Sequence, residues 1–248
     1  MAERVRIESV IEARHAEPDH ESEHRTRLSV VPQLESASPL EPMRPVTFRP
    51  SLYTRVVKPS FDRTAGFAGL VVAAVPMAII SIVILVSMGR PVLFRQRRVG
   101  LDGEVFEVLK FRTMRPDRRN SALDVIYDRR ETHKTVHDPR HTAVGRVLRR
   151  YSLDELPQLI NVVRGEMSIV GPRPELEHVV ASYRPGLEQR HLVRPGLTGL
   201  WQISARGEGP MHENGRWDLD YVEQVSWRTD LKILVKTPAA MLGDNAGS

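Results

Sequence analysis

An uncharged run of 26 residues, at positions 64–89, constrains the fold of this 248-residue chain more than any other feature. A helix of about 20 apolar residues crosses the hydrocarbon core of a bilayer, so the run predicts a membrane helix. A buried core helix is the alternative, and the length of the run disfavours it.

The path of this helix depends on Pro76, which stands in the middle of the run. Its ring removes one backbone hydrogen bond and clashes with the carbonyl four residues earlier. Both flanks are basic, with Arg55, Lys58 and Arg63 before the run and Arg90, Arg95, Arg97 and Arg98 after it. Because short basic flanks tend to stay cytoplasmic, we expect a re-entrant helix broken at Pro76. A kinked, fully spanning helix is the alternative.

The chain divides into three predicted parts: a disordered polar tail (1–50), the re-entrant helix with its basic flank (51–90), and a cytosolic domain on the membrane surface (91–248). The tail carries seven Arg against nine acidic residues, and Phe48 is its only aromatic residue, so it cannot bury enough apolar area to order itself. The remaining residues carry a net charge of +7, which suggests an anionic partner. The chain has no cysteine, which excludes disulfide scaffolds, cysteine nucleophiles and the usual structural zinc sites.

The predicted fold class is α+β, mostly helical with a β-hairpin. Strand-like segments at 92–99 and 104–112 surround a turn at 100–103, and glycine and proline mark a loop near 195–199. Helical patterns cover 143–150, 156–164, 174–183 and 221–241, the last interrupted near Trp227 and Pro238.

The end of the last helix mixes apolar residues with Lys232 and Lys236, and Trp227 stands at its start. This pattern is compatible with an interfacial helix that has Trp227 at headgroup level. A core helix is an equally good interpretation.

The densest polar cluster is Asp154 and Glu155, which follow Arg149 and Arg150. Pro157 favours a helix start just before it, so the two acids lie at or near a helix N-terminus. Ser152 and Glu155 have the spacing of a capping box, which is the structural interpretation. The functional one is a carboxylate nucleophile or a Mg²⁺ ligand, with arginines that clamp a phosphate.

Two loops carry arginines in restricted backbones. Arg173 lies between two prolines, which fix the backbone on both sides, so its guanidinium can serve as a fork for a phosphate or carboxylate. Arg194 opens a loop with two glycines that runs to Trp201 and Gln202 and could hold a nucleotide or sugar. Plain turns are the alternative for both loops.

Five motifs in order resemble the bacterial sugar transferases, also called monotopic polyprenyl-phosphate phosphoglycosyl transferases. They are FRQRRVG at 94–100, KFRTM at 110–114, SLDELPQ at 152–158, GPRP at 171–174 and RPGLTG at 194–199. The resemblance covers about residues 55–240. It implies transfer of a sugar 1-phosphate from a UDP-sugar to polyprenyl phosphate, which yields polyprenyl diphosphate sugar and UMP.

The resemblance also assigns residues. It makes Asp154 the nucleophile that forms an aspartyl-phosphosugar, with Glu155 as its partner and Mg²⁺ beside the pair. Five basic or amide side chains are then predicted to bind the substrate: Arg149, Arg173, Arg112, Arg194 and Gln202. The predicted metal ligands are Asp154 and a downstream acid, Asp230.

Two departures from the family pattern stand near the membrane helix. Val75 precedes Pro76 where the family often has Ser, and Pro59 follows Lys58 where it often has Lys-Arg. A Ser hydroxyl could bond a carbonyl freed by the break, so its absence weakens the re-entrant interpretation.

The expected partners are a UDP-sugar, polyprenyl phosphate and membrane lipid at the cytoplasmic face of a bacterial plasma membrane. No nucleic acid is expected, since no nucleic-acid-binding motif is present, and a homodimer is left open. The alternatives are a Mg²⁺-dependent nucleotide-sugar or lipid-phosphate hydrolase, and a non-enzymatic membrane-anchored basic binding module.

Overall fold

A long helix, α1 (Lys58–Met88), dominates the computed structural model, which describes residues 42–115, 140, 142–204 and 215–242. A π-helical turn at Tyr53–Val57 leads into it. Residues Tyr53–Met88 are long and apolar enough to cross a membrane, by length and composition. The helix continues through Pro76 without interruption, so the expected break is not seen. A proline removes one backbone bond and bends a helix, but it need not end it.

One stripe of α1 packs on the rest of the protein, and the remaining surface is exposed. Gly66 lies against Val162, Ala73 is buried, and Ile84 is fully buried against Phe111. Met77, Ile80 and Met88 also pack on the cluster around Ile84. Ten large apolar side chains on the rest of the helix are exposed: Phe61, Phe67, Val71, Val72, Val75, Ile79, Ile82, Val83, Leu85 and Val86. An apolar surface of this size needs a nonpolar environment, which fits the predicted membrane helix.

The predicted hairpin is confirmed as the antiparallel strands β1 (Leu93–Val99) and β2 (Val105–Phe111). A 3₁₀ turn at Leu101–Gly103 joins them, with Asp102 in the left-handed region at φ 52°. Helix α2 (Ala143–Arg150) starts at Thr142, whose side-chain oxygen accepts a bond from the Gly145 N–H. Its bounds agree with the sequence prediction.

The second half alternates short helices with two short strands. Helix α3 (Gln158–Arg164) leads to β3 (Ser168–Val170), and α4 (Glu177–Ala181) and a 3₁₀ segment (Leu187–Leu192) lead to β4 (Gly196–Thr198). β3 and β4 pair in parallel, where the sequence predicts only a loop around residues 195–199. The chain continues with α5 (Leu200–Ser204), α6 (Arg216–Gln224) and α7 (Trp227–Leu242).

The predicted disordered tail differs from the structure over its last residues. Residues 42–50 pack against the domain: Arg44 pairs with Asp220 and Glu223, and Phe48 packs on the core beside Tyr221. These contacts involve distant parts of the chain, so tail composition does not reveal them. The rest of the predicted tail, residues 1–41, lies outside the described residues.

A buried polar network fixes the start of α1 to the domain. Asp230 accepts hydrogen bonds from Lys58 Nζ and Tyr53 Oη, both at 2.6 Å, and from Tyr221 Oη at 2.8 Å. Asp62 accepts a bond of 2.7 Å from Ser168 Oγ. Because Lys58 also lies 3.8 Å from Asp62, one ammonium serves two buried carboxylates.

We expect Lys58→Met to destabilise the protein by about 3–5 kcal/mol, because it leaves buried carboxylates without their cation. The free energy of unfolding in detergent, from denaturant titration, measures this. Arg55→Met is the control, since Arg55 is exposed, and a change within about 0.5 kcal/mol is expected. Equal values for the two variants would contradict the role of the network.

Candidate active site

Asp154 and Glu155 lie in a single 3₁₀ turn, Leu153–Glu155, just before α3. The turn follows Ser152, whose φ of 53° places it in the left-handed region and whose side chain makes no capping bond. The capping-box interpretation is therefore wrong. The N-cap of α3 is Pro157, so the acids lie near that helix but not within its first turn.

Glu155 is held by two cations from distant elements. Lys110 Nζ of β2 donates to its Oε1 at 2.7 Å, and Arg173 donates to the same oxygen at 3.3 Å. Burial opposes ionisation of this carboxyl, but the charges of Lys110 and Arg173 outweigh burial and hold its pKa at about 2. Glu155 is therefore a fixed anion that joins β2 to the loop between β3 and α4.

Asp154 has a different environment. Burial raises the pKa of its carboxyl, and the neighbouring Glu155 charge raises it further, while Lys110 and Arg149 oppose this rise. Among the residues that the structure describes, its carboxylate has no hydrogen bond or ion pair with another side chain. Within the described residues, Asp154 is thus a carboxylate without an ion pair, although the charges of Lys110, Arg149 and Arg173 act on it.

Arg149 comes to this site through close packing of α2. The Gly145 Cα approaches Thr113 so tightly that an added Cβ would lie 1.9 Å from the Thr113 carbonyl oxygen. Thr113 Oγ1 in turn accepts a bond of 2.9 Å from Arg149 Nε. The last turn of α2 therefore brings Arg149 near Asp154, on which its charge acts. Its contact with a substrate phosphate stays a prediction.

Of three other predicted substrate-binding residues, two donate hydrogen bonds to main-chain carbonyls and the third has a buried side-chain amide. Arg112 donates to the carbonyls of Met88, Gly89 and Arg90 and so caps the C-terminus of α1. Arg194 Nε donates to the Gly165 carbonyl at 2.9 Å, at the end of α3. The Gln202 amide is buried, and its nitrogen and oxygen have no partner within the described part of the chain. Their predicted contacts with substrate stay predictions.

The prediction that Asp230 binds a metal together with Asp154 does not fit the geometry. The Asp230 carboxylate is buried and already accepts bonds from Lys58, Tyr53 and Tyr221, which satisfy its charge and both of its oxygens. Within the described residues, no group of three His, Asp or Glu side chains forms a metal site. Asp230 is therefore a structural anchor, because its partners come from elements that only the fold brings together.

Lys110 lies at the site, but the sequence analysis did not predict it as a site residue. It belongs to the KFRTM run, but its role depends on β2 pairing with β1, which turns its side chain toward Glu155. Burial lowers the pKa of Lys110, and Arg173 lowers it further, while Glu155 raises it. A lysine in an otherwise apolar stretch of a strand is the signal that could have found it.

The chain belongs to the bacterial sugar transferase family, whose model matches residues 53–244. The match extends from the turn before α1 to the end of the described chain and so includes the whole candidate site. Membership places the chain among sugar-phosphate transferases, a class of enzymes.

Three relatives illustrate the similarity. Exopolysaccharide production protein ExoY of Rhizobium meliloti (strain 1021) is 40% identical over 196 residues, which cover 75% of this chain and 86% of the relative. UDP-glucose:undecaprenyl-phosphate glucose-1-phosphate transferase of Escherichia coli (strain K12) is 40% identical over 194 residues, 74% of this chain and 39% of the relative. Undecaprenyl-phosphate galactose phosphotransferase of Salmonella typhimurium is 35% identical over 196 residues, 76% of this chain and 41% of the relative.

Opposite charges on either side of Asp154 predict opposite shifts of its pKa. Glu155→Gln removes an anion and lowers the pKa of Asp154, whereas Lys110→Met removes a cation and raises it. Carboxyl ¹³C NMR titration of labelled aspartate measures both shifts, and the spectrum of Asp154→Asn assigns the resonance. Shifts in the same direction would contradict the charge arrangement.

Proposed function

We propose that this protein transfers a sugar 1-phosphate from a UDP-sugar to a polyprenyl phosphate of the undecaprenyl type, giving polyprenyl diphosphate sugar and UMP. The observation that carries the proposal is an ionised, ion-paired Glu155 next to Asp154, which has no ion pair within the described residues although Lys110, Arg149 and Arg173 lie near it. The names of the relatives from Escherichia coli and Salmonella typhimurium support the same reaction. It would be a first membrane step in the synthesis of a polysaccharide such as an exopolysaccharide.

In the proposed first step, a carboxylate oxygen of Asp154 attacks the β-phosphorus of the UDP-sugar. The bond from this phosphorus to the oxygen that bridges the two phosphates breaks, and UMP leaves with that oxygen. The product is an aspartyl-phosphosugar. A covalent intermediate avoids the direct approach of two anionic phosphates, which repel each other.

In the proposed second step, an oxygen of polyprenyl phosphate attacks the same phosphorus. The bond to Asp154 breaks, the carboxylate is restored, and polyprenyl diphosphate sugar leaves. Arg149 and Arg173 face the charge that develops on the phosphoryl oxygens, and such fixed cations stabilise a transition state without rearrangement. Lys110 keeps Glu155 ionised and in place, because it donates to Oε1.

The side chains at the site are compatible with Mg²⁺ that is bound mainly through substrate. Mg²⁺ usually takes one or two carboxylates together with substrate phosphates. Of the two acids at the site, Glu155 is ion-paired, whereas Asp154 has no ion pair among the described residues. Asp154 would hold the ion, which would neutralise charge on the diphosphate. Asp230 has no place in this proposal.

We also propose a re-entrant path for α1, which would bend at Pro76 without losing its helical structure, so that both ends stay on the cytoplasmic face. The same domain contacts both ends: Asp62 accepts from Ser168 near the start, and Ile84 packs on Phe111 and Leu148 near the end. Arg112 then caps the last carbonyls. A spanning helix would place one end across the bilayer from this domain.

Helix α7 supports the proposed position at the membrane surface. Trp227, Leu231 and Val235 are exposed and form one stripe at helical spacing. Lys232 and Lys236 form a neighbouring stripe that is also exposed. Apolar and basic stripes side by side suit a helix that lies among lipid headgroups.

We expect Asp154→Asn to abolish transfer, because an amide is not a nucleophile at phosphorus, and to leave the protein folded and membrane-bound. Extraction of lipid-linked sugar after incubation with donor and acceptor measures the loss. Asp102→Asn is the matched control, since Asp102 is exposed on the hairpin turn and should keep full activity. Appreciable lipid-linked product from Asp154→Asn would overturn the nucleophile assignment.

The decisive experiment for the reaction incubates purified protein with a panel of UDP-sugars, Mg²⁺ and polyprenyl phosphate, and scores UMP release. A transferase needs the lipid acceptor for turnover and yields lipid-linked sugar. Free sugar phosphate without acceptor would instead identify a hydrolase. Salt-sensitive nucleic-acid binding that Asp154→Asn leaves unchanged would favour a basic binding module.

For the path of α1, we expect tags at the N-terminus and at the C-terminus to stay protected from protease in intact spheroplasts. Both should be cleaved after permeabilisation, which is the control for accessibility. Cleavage of the N-terminal tag alone in intact spheroplasts would indicate a spanning helix.

A further inference from the structure

The tripeptide Pro172–Arg173–Pro174 is held by its carbonyl groups. Prolines lack an N–H, so the tripeptide offers three acceptors and a single donor. All three acceptors are used: the Pro172 carbonyl by the Gly196 N–H at 2.8 Å, the Arg173 carbonyl by Arg190 at 2.6 Å, and the Pro174 carbonyl by Arg98 at 3.1 Å. Two buried arginines thus bind the main chain of the loop that presents Arg173.

Arg190 lies on the 3₁₀ segment after α4 and is almost completely buried. Its guanidinium pairs with Asp218 of α6 at 2.6 Å, with both side chains 1% exposed, and it also donates to Tyr183 Oη. Asp218 supplies the negative charge that such a buried cation needs. The terminal nitrogen that pairs with Asp218 also donates to the Arg173 carbonyl.

Arg98 lies at the end of β1 and is also buried. Gln96 Oε1 accepts a bond of 2.7 Å from one terminal nitrogen of Arg98, and the other terminal nitrogen donates to the Pro174 carbonyl. The neighbouring Val99 N–H donates to the Glu175 carbonyl at 2.9 Å. These contacts give a role to the FRQRRVG motif, which the proposed reaction does not itself use.

The prolines alone cannot orient Arg173. A pyrrolidine ring fixes φ, whereas the direction of each carbonyl depends on ψ, which stays free within its allowed range. The arginine bonds to the carbonyls of Arg173 and Pro174 remove that remaining freedom. Only then is the Arg173 guanidinium directed to Glu155, 3.3 Å away, beside Asp154.

We propose that Arg98 and Arg190 are positioning residues, which clamp the main chain around Arg173 and thereby aim its guanidinium at Glu155 and at the diphosphate of the donor. The part that concerns the donor rests on the proposed function. The clamp itself is a property of the folded chain and is testable without substrate.

The first test compares Arg98→Met and Gln96→Leu with Arg97→Met. Arg97 is the matched control, because its side chain is 68% exposed and pairs at the surface with Glu177. We expect kcat/KM for the UDP-sugar to fall about 10–100-fold in Arg98→Met and less in Gln96→Leu, since a small misplacement of a binding group can cost about 100-fold. Arg97→Met should be unchanged.

The kinetic pattern separates positioning from poor folding. We expect a higher KM for the UDP-sugar and an unchanged KM for polyprenyl phosphate, because Arg173 would contact the donor. A smaller amount of folded enzyme would lower the apparent kcat and leave both KM values unchanged. That second pattern would overturn the proposal.

Arg190 needs a double variant. Arg190→Met alone leaves the buried Asp218 carboxylate without its cation, which would unfold the protein for a reason unrelated to Arg173. Arg190→Met with Asp218→Leu removes both charges and replaces them with apolar volume, so the fold should survive while the bond to the Arg173 carbonyl is lost. A folded double variant with wild-type kinetics for the donor would overturn the role of Arg190.

Hydrogen exchange at Gly196 tests the clamp without activity. This amide donates to the Pro172 carbonyl, so it should exchange faster in Arg98→Met and in the Arg190→Met, Asp218→Leu variant than in Arg97→Met. Unchanged exchange would overturn the clamp. If instead the wild-type protein fails to transfer from any UDP-sugar while exchange changes as expected, the proposed function fails and the clamp stands.

Discussion

Glu155 connects the parts of the protein on which its chemistry depends. Its carboxylate forms ion pairs with Lys110 of the hairpin and with Arg173 of the loop after β3, and both cations lie beside Asp154. If Glu155 were neutral, Lys110 and Arg173 would repel each other at close range, and the pKa of Lys110 would fall further because the Glu155 charge that opposes the effect of burial would be lost. One fixed anion therefore holds two cations, while its neighbour Asp154 has no ion pair in the part of the chain that the structure describes.

The same principle recurs away from the site. At the start of α1, Asp230 is satisfied by Lys58 and two phenols, and under the Pro-Arg-Pro loop Asp218 is satisfied by Arg190. In each case a buried acid from the last third of the chain fixes an element from elsewhere. Buried pairs of this kind add little net stability but penalise wrong arrangements, because either partner alone is costly.

Local pattern predicted the hairpin, α2 and the Asp154–Glu155 pair, because turn residues, strand runs and motif spacing are encoded within a few positions. It did not predict the parallel pair of β3 and β4, whose strands are three residues long and pair across 28 positions of sequence. The contacts of Arg112 with the end of α1 and of Asp230 with Lys58 were not predicted for the same reason. An arginine in a motif looks the same whether it binds a phosphate or, as here, the end of α1.

The capping box failed for a different reason. Ser152 and Glu155 have the right spacing, but two cations compete for Glu155, and the left-handed conformation of Ser152 turns the chain before α3 begins. Long-range charge therefore outweighs a local bond that contributes about 1 kcal/mol. Local sequence rules were least reliable at the candidate site, as expected where a chain departs from ideal structure.

In the proposed membrane position of α1, the attachment of both of its ends to the domain has a consequence for the surrounding lipid. A helix that simply spans a bilayer adjusts to local thickness by tilting. With Lys58 and Asp62 fixed at one end and the last carbonyls held by Arg112 at the other, α1 cannot tilt independently of the domain. Any mismatch between its apolar surface and the hydrocarbon core must then be absorbed by deformation of the lipid, or passed through β2 to the site.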